Sequence, residues 1–263
     1  MKELVREILF VRKCVRCGEI MPREESDWAF CASCLPFWRE AMTDSCSLCF
    51  ASAVECTCCP EILVKAGALT LRKLTFYDAE NRARPQNKLL FFIKNKKNRR
   101  VSRFVAKELL PLIRFELSVL GVENADEEVF ITCVPRGRKA VAFFGHDQSA
   151  LICGEMSELM GIPFIPILKS RRGVREQKRL GVSQRSKNAE KMLVVDERAV
   201  SSVEGRCALL FDDVVTTGAS MSAAVNHLRK LGVDRVICLS IAMTPKKNRS
   251  SGKKNKEKSA DEE

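Results

Sequence analysis

The sequence predicts an α/β fold with a parallel sheet, preceded by a small cysteine-rich module. Two observations carry this prediction. Apolar runs typical of strands buried on both faces alternate with helical patterns through most of the chain. Nine of the thirteen cysteines fall within the first 59 residues. We therefore expect a metal-binding module over residues 1–60, a larger domain over 61–245, and a disordered, lysine-rich tail over 246–263.

The charge balance indicates an anionic partner. The chain has 263 residues, a formal net charge of +12 and a pI of about 9.2. Nucleic acid, phosphorylated substrates and acidic membrane surfaces are all attracted by such a charge. The N-terminus mixes charged with apolar residues, and we find no secretory signal or membrane span. A cytoplasmic location without membrane insertion is therefore expected.

The cysteine-rich module contains four C-x-x-C pairs. In a cytosolic chain this pattern is typical of metal ligation rather than of disulfides. Each successive quartet can supply four thiolates to a structural Zn²⁺. Sequential pairing predicts two zinc ribbons, with Cys58 left as a spare thiol; interleaved pairing, a single occupied zinc site and redox-active pairs are the alternatives. The candidate ligands are Cys14, Cys17, Cys31, Cys34, Cys46, Cys49, Cys56 and Cys59.

Elements of the larger domain follow from apolar spacing. Two amphipathic helices are expected between Lys88 and Ile113, with a basic break near Asn95 to Asn98 that is either a solvated junction or an anion-binding surface. A long basic loop from Lys169 to Lys191 is expected to close over an anionic substrate, unless it is a disordered insert. Other predictions are a strand or hairpin from Val64 to Tyr77, a loop from Arg82 to Lys88, and strands at Val129 to Val134, Met192 to Val195 and Arg235 to Ala242. A helix from about Gln148 to Met160 is expected to lead to the apolar run Phe164 to Leu168.

The most informative stretch runs from Ala208 to Ser220 and reads ALLFDDVVTTGAS. Its apolar start predicts a buried strand, and a phosphate-cradling turn that opens a helix follows. A phosphate alone would not require Asp212 and Asp213, whose like charges are costly without a ligand. Vicinal ribose hydroxyls can donate to two carboxylates, and a divalent cation would relieve their repulsion. The stretch therefore predicts a ribose 5-phosphate site with Mg²⁺.

This stretch resembles the phosphoribosyl pyrophosphate (PRPP) signature of the type I phosphoribosyltransferases. The resemblance implies a Rossmann-like parallel-sheet domain in which Asp212 and Asp213 hold the ribose hydroxyls. The 5-phosphate would be bound by Thr216, Thr217, Gly218, Ala219 and Ser220. A basic loop after the Val129 to Val134 strand is placed to grip the pyrophosphate, through Arg136, Arg138 and Lys139.

The whole chain resembles the ComF family of competence-associated, phosphoribosyltransferase-like proteins. The resemblance covers Cys14 to about Thr244 and includes the double zinc ribbon, Lys94 and Val134-Pro135. It also includes the spaced set Gln177, Leu180, Arg185 and Asn188, of which Gln177 and Arg185 are further candidates for the substrate loop. One departure is the run from Phe144 to Gln148, which stands where the family has Arg-Gly-Phe-Asn-Gln.

The resemblance implies a phosphoribosyltransferase that binds PRPP with Mg²⁺ and acts in natural transformation. The alternative is a non-catalytic, PRPP-sensing adaptor that binds single-stranded DNA and a helicase-like partner. A purely structural zinc-ribbon protein would leave the ALLFDDVVTTGAS stretch unexplained. His146 is a weak candidate for a general base, and His227 follows the pattern of a helix and is expected to be structural.

Overall fold

The computed structural model describes residues 11–22, 27–171 and 190–245. Most of the predicted basic loop, including Gln177 and Arg185, lies outside the described residues, as does the predicted tail. In chain order the helices and strands are α1 (Leu35–Met42), α2 (Glu61–Ala66), β1 (Thr70–Phe76), α3 (Pro85–Asn95), α4 (Arg99–Val119), α5 (Ala125–Glu128), β2 (Val129–Cys133), α6 (Arg138–Phe144), α7 (Gln148–Met160), β3 (Leu168–Ser170), β4 (Leu193–Val195), a 3-10 helix (Glu197–Ser202), β5 (Cys207–Val215), α8 (Ala219–Lys230) and β6 (Arg235–Met243).

The centre of the fold is a four-stranded parallel sheet in the order β1-β6-β5-β2. Strand β5 lies inside the sheet, so its carboxyl end is flanked by the ends of β6 and β2. Beyond β2, Ile131 bridges to Phe164 in parallel, and β3 pairs with β4 in a separate antiparallel ribbon. The predicted α/β class with a parallel sheet is confirmed.

Alternate residues of β5 face two hydrophobic cores. Leu209 and Phe211 pack in the core that contains α4 and α7, whereas Ala208 and Leu210 pack in the core that contains α8. This is the two-residue period of a strand buried on both faces. Residues of the cysteine-rich module contribute to both cores, so the module packs directly against the larger domain.

Several predicted elements are confirmed. Helix α7 runs from Gln148 to Met160 and ends at Gly161, whose positive φ of 75° is a left-handed helix stop. The predicted break between the two amphipathic helices is also present. It spans residues 96–98, between the end of α3 and the start of α4. The Asn98 side chain accepts a hydrogen bond from Val101 N and caps α4.

Two predicted boundaries are wrong. The segment from Val64 was expected to be strand or hairpin, but α2 continues to Ala66 and β1 begins only at Thr70. Gly67, with φ +91°, separates the two elements. The loop expected from Arg82 to Lys88 is helical from Pro85, because proline fits the first turn of a helix, where its missing N–H is not needed. Within the described residues, we find no helix with the length and apolar character needed to span a membrane.

Candidate functional site

Two carboxylates lie near the carboxyl end of β5. Asp213 is buried, and its Oδ2 accepts a hydrogen bond of 2.6 Å from Gln148 Nε2 at the start of α7. Its Oδ1 lies 3.3 Å from Lys94 Nζ at the end of α3. Three elements that are distant in sequence therefore converge on one carboxylate. Lys94 and Gln148 were not among the predicted site residues, although both were noted in the family resemblance.

Asp212 is in an unfavourable electrostatic position. Its side chain keeps intermediate exposure, but burial of its carboxyl group among the strand ends raises its pKa well above the ordinary value. The negative charge of Asp213 raises the pKa further, and Lys94 opposes both effects. Such a pair is stabilised by a ligand that brings hydrogen-bond donors or a cation. The chemistry of the pair therefore fits ribose hydroxyls and Mg²⁺.

The predicted phosphate turn connects β5 directly to α8. Gly218 stands at the N-cap with φ +80°, a left-handed conformation that L side chains rarely adopt. Thr216 and Ser220 are exposed, and Thr217 Oγ1 accepts a hydrogen bond of 3.4 Å from Ala219 N. The first N–H groups of a helix have no partner within it and carry a partial positive charge. The turn thus has the hydroxyls and amides that bind a phosphate.

Arg136 occupies a different position from the one expected of a pyrophosphate ligand. Its guanidinium donates to Lys94 O at 2.9 Å and to His146 O at 3.3 Å, and it stacks on the Phe144 ring. The backbone N–H of Arg136 donates to Asp147 Oδ2 at 2.7 Å. These contacts make Arg136 a brace between the end of α3, which carries Lys94, and the loop before α7.

Arg138 and Lys139 remain exposed at the start of α6. Their assignment to the pyrophosphate stays a prediction, as does that of Gln177 and Arg185, which lie outside the described residues. The structure brings neither Arg138 nor Lys139 into a contact with the carboxylate pair among the residues it describes.

The two histidines both have structural contacts. His146 is buried, with Nε2 at 2.8 Å from Ile93 O and Nδ1 at 2.9 Å from Phe144 O. Both ring nitrogens are therefore engaged by backbone carbonyls, which leaves the ring poorly placed to accept a substrate proton. His227, on α8, contacts Glu190 O at 3.3 Å.

A cavity of 280 Å³ lies beside the phosphate turn. One wall comes from Thr216 and Thr217 and from the carboxyl ends of β1 and β6, at Phe76 and Met243. The rest of the lining comes mainly from the cysteine-rich module, including Leu48, Pro60, Cys46 and Cys58. Apart from cysteine thiols, no ionisable side chain is found among the described residues that line it. An uncharged group next to a bound phosphate would fit this space.

The first cysteine cluster matches the prediction. The thiols of Cys14, Cys17, Cys31 and Cys34 lie within 4.8 Å of one another. The Cys17 and Cys31 sulfurs are 3.7 Å apart, close to the edge of about 3.8 Å that a tetrahedral zinc site with Zn–S bonds of about 2.3 Å requires. The four side chains therefore fit a structural zinc ion.

The second cluster contains Cys46, Cys49, Cys56 and Cys58, also within 4.8 Å of one another. Cys58 takes the place that the C-x-x-C spacing assigned to Cys59. This differs from the predicted ligand set, in which Cys58 was spare. Cys59 instead lines the cavity beside the phosphate turn, where burial raises the pKa of its thiol to about 11.

The two clusters share a local backbone pattern. Cys14 N bonds to Glu19 O and Gly18 N to Cys14 O; equally, Cys46 N bonds to Ala51 O and Phe50 N to Cys46 O. Phe50, with φ +61°, therefore stands where the first cluster has Gly18, with φ +81°. The second turn adopts the fold of the first although it lacks the glycine.

Residues 122–262, more than half of the chain, match the family model described as phosphoribosyl transferase domain. The chain belongs to this family. Membership supports the type I phosphoribosyltransferase fold and a function related to PRPP. No match was found among curated proteins.

The solved structures that resemble part of this phosphoribosyltransferase-type chain include the phosphoribosylpyrophosphate synthetase from Mycobacterium smegmatis. Its sequence identity is 18% and its TM-score is 0.30. The alignment covers 57% of this chain and 50% of the synthetase chain, so it spans about half the length of that protein. A likeness at this level carries no argument about function.

Proposed function

We propose that the protein binds PRPP with Mg²⁺ at the carboxyl end of β5 and transfers the phosphoribosyl group to an acceptor. The observation that carries this proposal is the carboxylate pair Asp212 and Asp213, followed at once by the glycine turn that opens α8. The carboxylates accept hydrogen bonds from the ribose hydroxyls. The helix N-terminus and the threonine hydroxyls of the turn bind the 5-phosphate.

Lys94 and Gln148 complete the site from the other side. Gln148 orients the Asp213 carboxylate, and the ammonium group of Lys94 balances its charge while no ligand is bound. The Lys94 side chain is 41% exposed, so it is free to turn towards an incoming pyrophosphate. Positive charge there favours departure of the pyrophosphate, because the developing negative charge is met by a group already in place.

The reaction is a displacement at C1 of the ribose. The C1–O bond to pyrophosphate breaks and its electron pair leaves with the pyrophosphate, while a lone pair of the acceptor forms the new bond to C1. Mg²⁺ supplies positive charge to the pyrophosphate when it is bound. The residues of this chain hold the ribose and phosphate in position, which makes the encounter with the acceptor effectively intramolecular.

The 280 Å³ cavity beside the turn is the proposed place for the acceptor. Its walls include Leu48, Pro60, Phe76 and Met243, and the hydroxyls of Thr216 and Thr217 lie at one side. Apart from the thiols of Cys46, Cys58 and Cys59, the described lining carries no ionisable side chain, so the part of the acceptor that enters should not be anionic.

Titration calorimetry with PRPP tests the proposal. We expect binding that requires Mg²⁺ and that Asp213→Asn weakens at least tenfold, about 1.4 kcal/mol, because the variant removes a charge that the ligand complex needs. Glu155→Gln is the matched control, since Glu155 is another buried carboxylate but pairs with Arg99 and Arg103 instead. Equal affinity of Asp213→Asn and the unchanged protein would refute the site.

A second candidate function is a PRPP-sensing adaptor without catalytic turnover. Both ring nitrogens of His146 contact backbone carbonyls, so this histidine is not placed to accept a substrate proton. That observation favours the adaptor. Under the ComF resemblance, either function would serve natural transformation, with single-stranded DNA and a helicase-like partner. The net charge of +12 is compatible with a DNA contact.

Two measurements separate the candidates. Release of pyrophosphate from PRPP that depends on an acceptor in a cell extract would establish the transferase. Its absence across fractionated extracts, with PRPP binding intact, would favour the adaptor. The adaptor further requires an affinity for single-stranded DNA that falls steeply with salt, and a salt-insensitive or absent interaction would contradict it.

A further inference from the structure

The chain segment that follows the second cysteine cluster packs on the phosphate turn. Cys59 and Pro60 come after Cys58, the last thiol of the cluster, and α2 begins at Glu61. A Cβ placed on Gly218 would lie 3.1 Å from Ile62 Cγ2, 3.3 Å from Leu63 Cγ and 3.5 Å from Pro60 Cβ. The segment that leaves the cluster thus packs directly on the glycine of the phosphate turn.

A hydrogen bond fixes the same two elements. Ser222, in the first turn of α8, donates through Oγ to Ile62 O at 3.2 Å. Leu63 is fully buried, and it packs in the same core as Met221 and Val225 of α8. The N-terminal turn of α8 therefore rests on α2, and α2 begins three residues after Cys58, the last thiol of the cluster.

The cluster is also attached to the sheet through Lys73 on β1. This side chain is fully buried, and its Nζ donates to Cys56 O at 2.7 Å and lies 3.5 Å from Cys58 O. Four thiolates around one Zn²⁺ carry a net charge of −2. A buried ammonium group next to them offsets half of that charge, so Lys73 fits a metal-loaded cluster better than an empty one.

The first cluster has different neighbours. Cys14 and Cys34 pack with Phe30, Trp38 and Phe104 in the core on the α4 face, whereas Cys46 and Cys56 belong to the core that contains α8. Arg100 on α4 donates to Lys13 O at 2.9 Å, and so ties the first cluster to the same face. Among the described residues, only the second cluster shares a core with α8, the helix that the phosphate turn opens.

We propose that the metal-loaded second cluster positions the phosphate turn, so that metal at this cluster, and not at the first, sets the affinity for the 5-phosphate. Loss of the metal would release Cys58 and with it the Pro60 to Leu63 segment that supports Gly218 and Ser222. The proposal rests on the proposed function for the identity of the ligand, but the effect on the turn itself does not need a ligand.

The test compares Cys49→Ser with Cys17→Ser in the full, zinc-loaded chain. Cys49 and Cys17 are the exposed members of their clusters, which makes them matched substitutions. Hydrogen exchange is measured over residues 216–224, and ribose 5-phosphate serves as the probe of the turn. We expect Cys49→Ser to accelerate exchange over these residues and to weaken the binding of ribose 5-phosphate at least tenfold. Cys17→Ser should leave both within about twofold.

Equal effects of the two variants, or no effect of Cys49→Ser after its zinc is lost, would overturn the proposal. If Cys49→Ser does not fold, Lys73→Met takes its place, because it keeps every thiol and removes the contacts of the ammonium group with Cys56 O and Cys58 O. It should accelerate exchange over residues 216–224 with zinc content unchanged, and unchanged exchange would contradict the proposal.

If the unaltered protein fails to bind ribose 5-phosphate, the proposed function fails, whereas hydrogen exchange still decides this inference.

Discussion

At the scale of single residues, the most telling feature is a pair of carboxylates kept in an unfavourable place. Asp212 and Asp213 sit side by side at the end of a central strand, with Lys94 and Gln148 turned towards Asp213. A protein selected for stability alone gains nothing from such a pair. Binding sites often retain strain of this kind, because the ligand relieves it.

Asp212→Asn should make the ligand-free protein more stable and the complex weaker. Burial and Asp213 raise the pKa of Asp212 in the folded protein above its unfolded value. The resulting stability is therefore present at acidic pH and is lost as the pH rises through the folded pKa, where the carboxyl group must ionise. Affinity for PRPP and Mg²⁺ should rise over the same range, since both favour the carboxylate.

Thermal melts and calorimetry at several pH values measure both effects. As the pH rises, the unchanged protein should lose stability and gain affinity for PRPP because Asp212 ionises. Asp212→Asn should lack both of these pH-dependent changes. A variant that is less stable than the unchanged protein at neutral pH would show that the carboxylate is favourably placed, contrary to this account.

Cys58→Ser should remove one zinc ion per chain, whereas Cys59→Ser should not. Cys58 lies within 4.8 Å of three other thiols, while Cys59 lines the neighbouring cavity. The two substitutions are chemically identical and one residue apart, so each is the control for the other. Zinc analysis of the purified proteins gives the result, and the reverse outcome would restore the C-x-x-C assignment.

At the scale of elements, the site depends on the junction between β5 and α8. Gly218 has φ +80°, and a Cβ there would meet close neighbours on α2. Gly205 has φ +71°, but a Cβ there would have no atom within 4 Å. Alanine at either position incurs a backbone strain of roughly 1–2 kcal/mol. Only at Gly218 does the added methyl group also press on Ile62 and Leu63.

Gly218→Ala should therefore lower the free energy of unfolding by more than Gly205→Ala does. It should also lower the affinity for PRPP, because the turn must shift to relieve the contact. Gly205→Ala should leave the affinity for PRPP unchanged. Denaturant titrations and calorimetry on both variants provide the comparison. A similar affinity in both would mean that the turn tolerates the methyl group.

Elements with strong local signals were predicted well from sequence. Helix α7 has an N-cap aspartate, Asp147, and the stop Gly161, and its bounds agree with the prediction. Residues 61–66 are followed by a similar stop, Gly67, but their short apolar run suits a strand or a helix equally. Packing of α2 against α8 accompanies the helical outcome and joins segments far apart in the chain.

At the scale of the whole molecule, the cysteine-rich module and the larger domain share their cores. Trp38 of α1 stacks with Phe30 at 5.4 Å and lies 5.8 Å from Phe104 of α4. Its indole N–H donates to Glu108 Oε2 at 3.0 Å. The module is thereby held to α4 by an aromatic cluster and a buried hydrogen bond.

Trp38→Ala should cost about 3–5 kcal/mol of stability, because it empties a fully buried site shared by the two parts. Phe91→Ala, at a side chain that is 70% exposed, is the control and should change stability by less than about 0.5 kcal/mol. Calorimetry of Trp38→Ala should show a single unfolding transition, at a lower temperature than in the unchanged protein. Separate melting of the module would contradict the shared core.

The sequence by itself determined the chemistry of this protein: the parallel-sheet class, the strand that carries Asp212 and Asp213 near its carboxyl end, the glycine turn, and two sets of four cysteines. These features are local, since each depends on residue types at short spacing. Tertiary structure decided which residues meet: Lys94 and Gln148 at Asp213, Cys58 in place of Cys59, and α2 beneath the phosphate turn. The contacts at Asp213 and beneath the phosphate turn join segments far apart in the chain, which only the packing of both cores brings together, whereas the choice of Cys58 depends on the local path of the backbone.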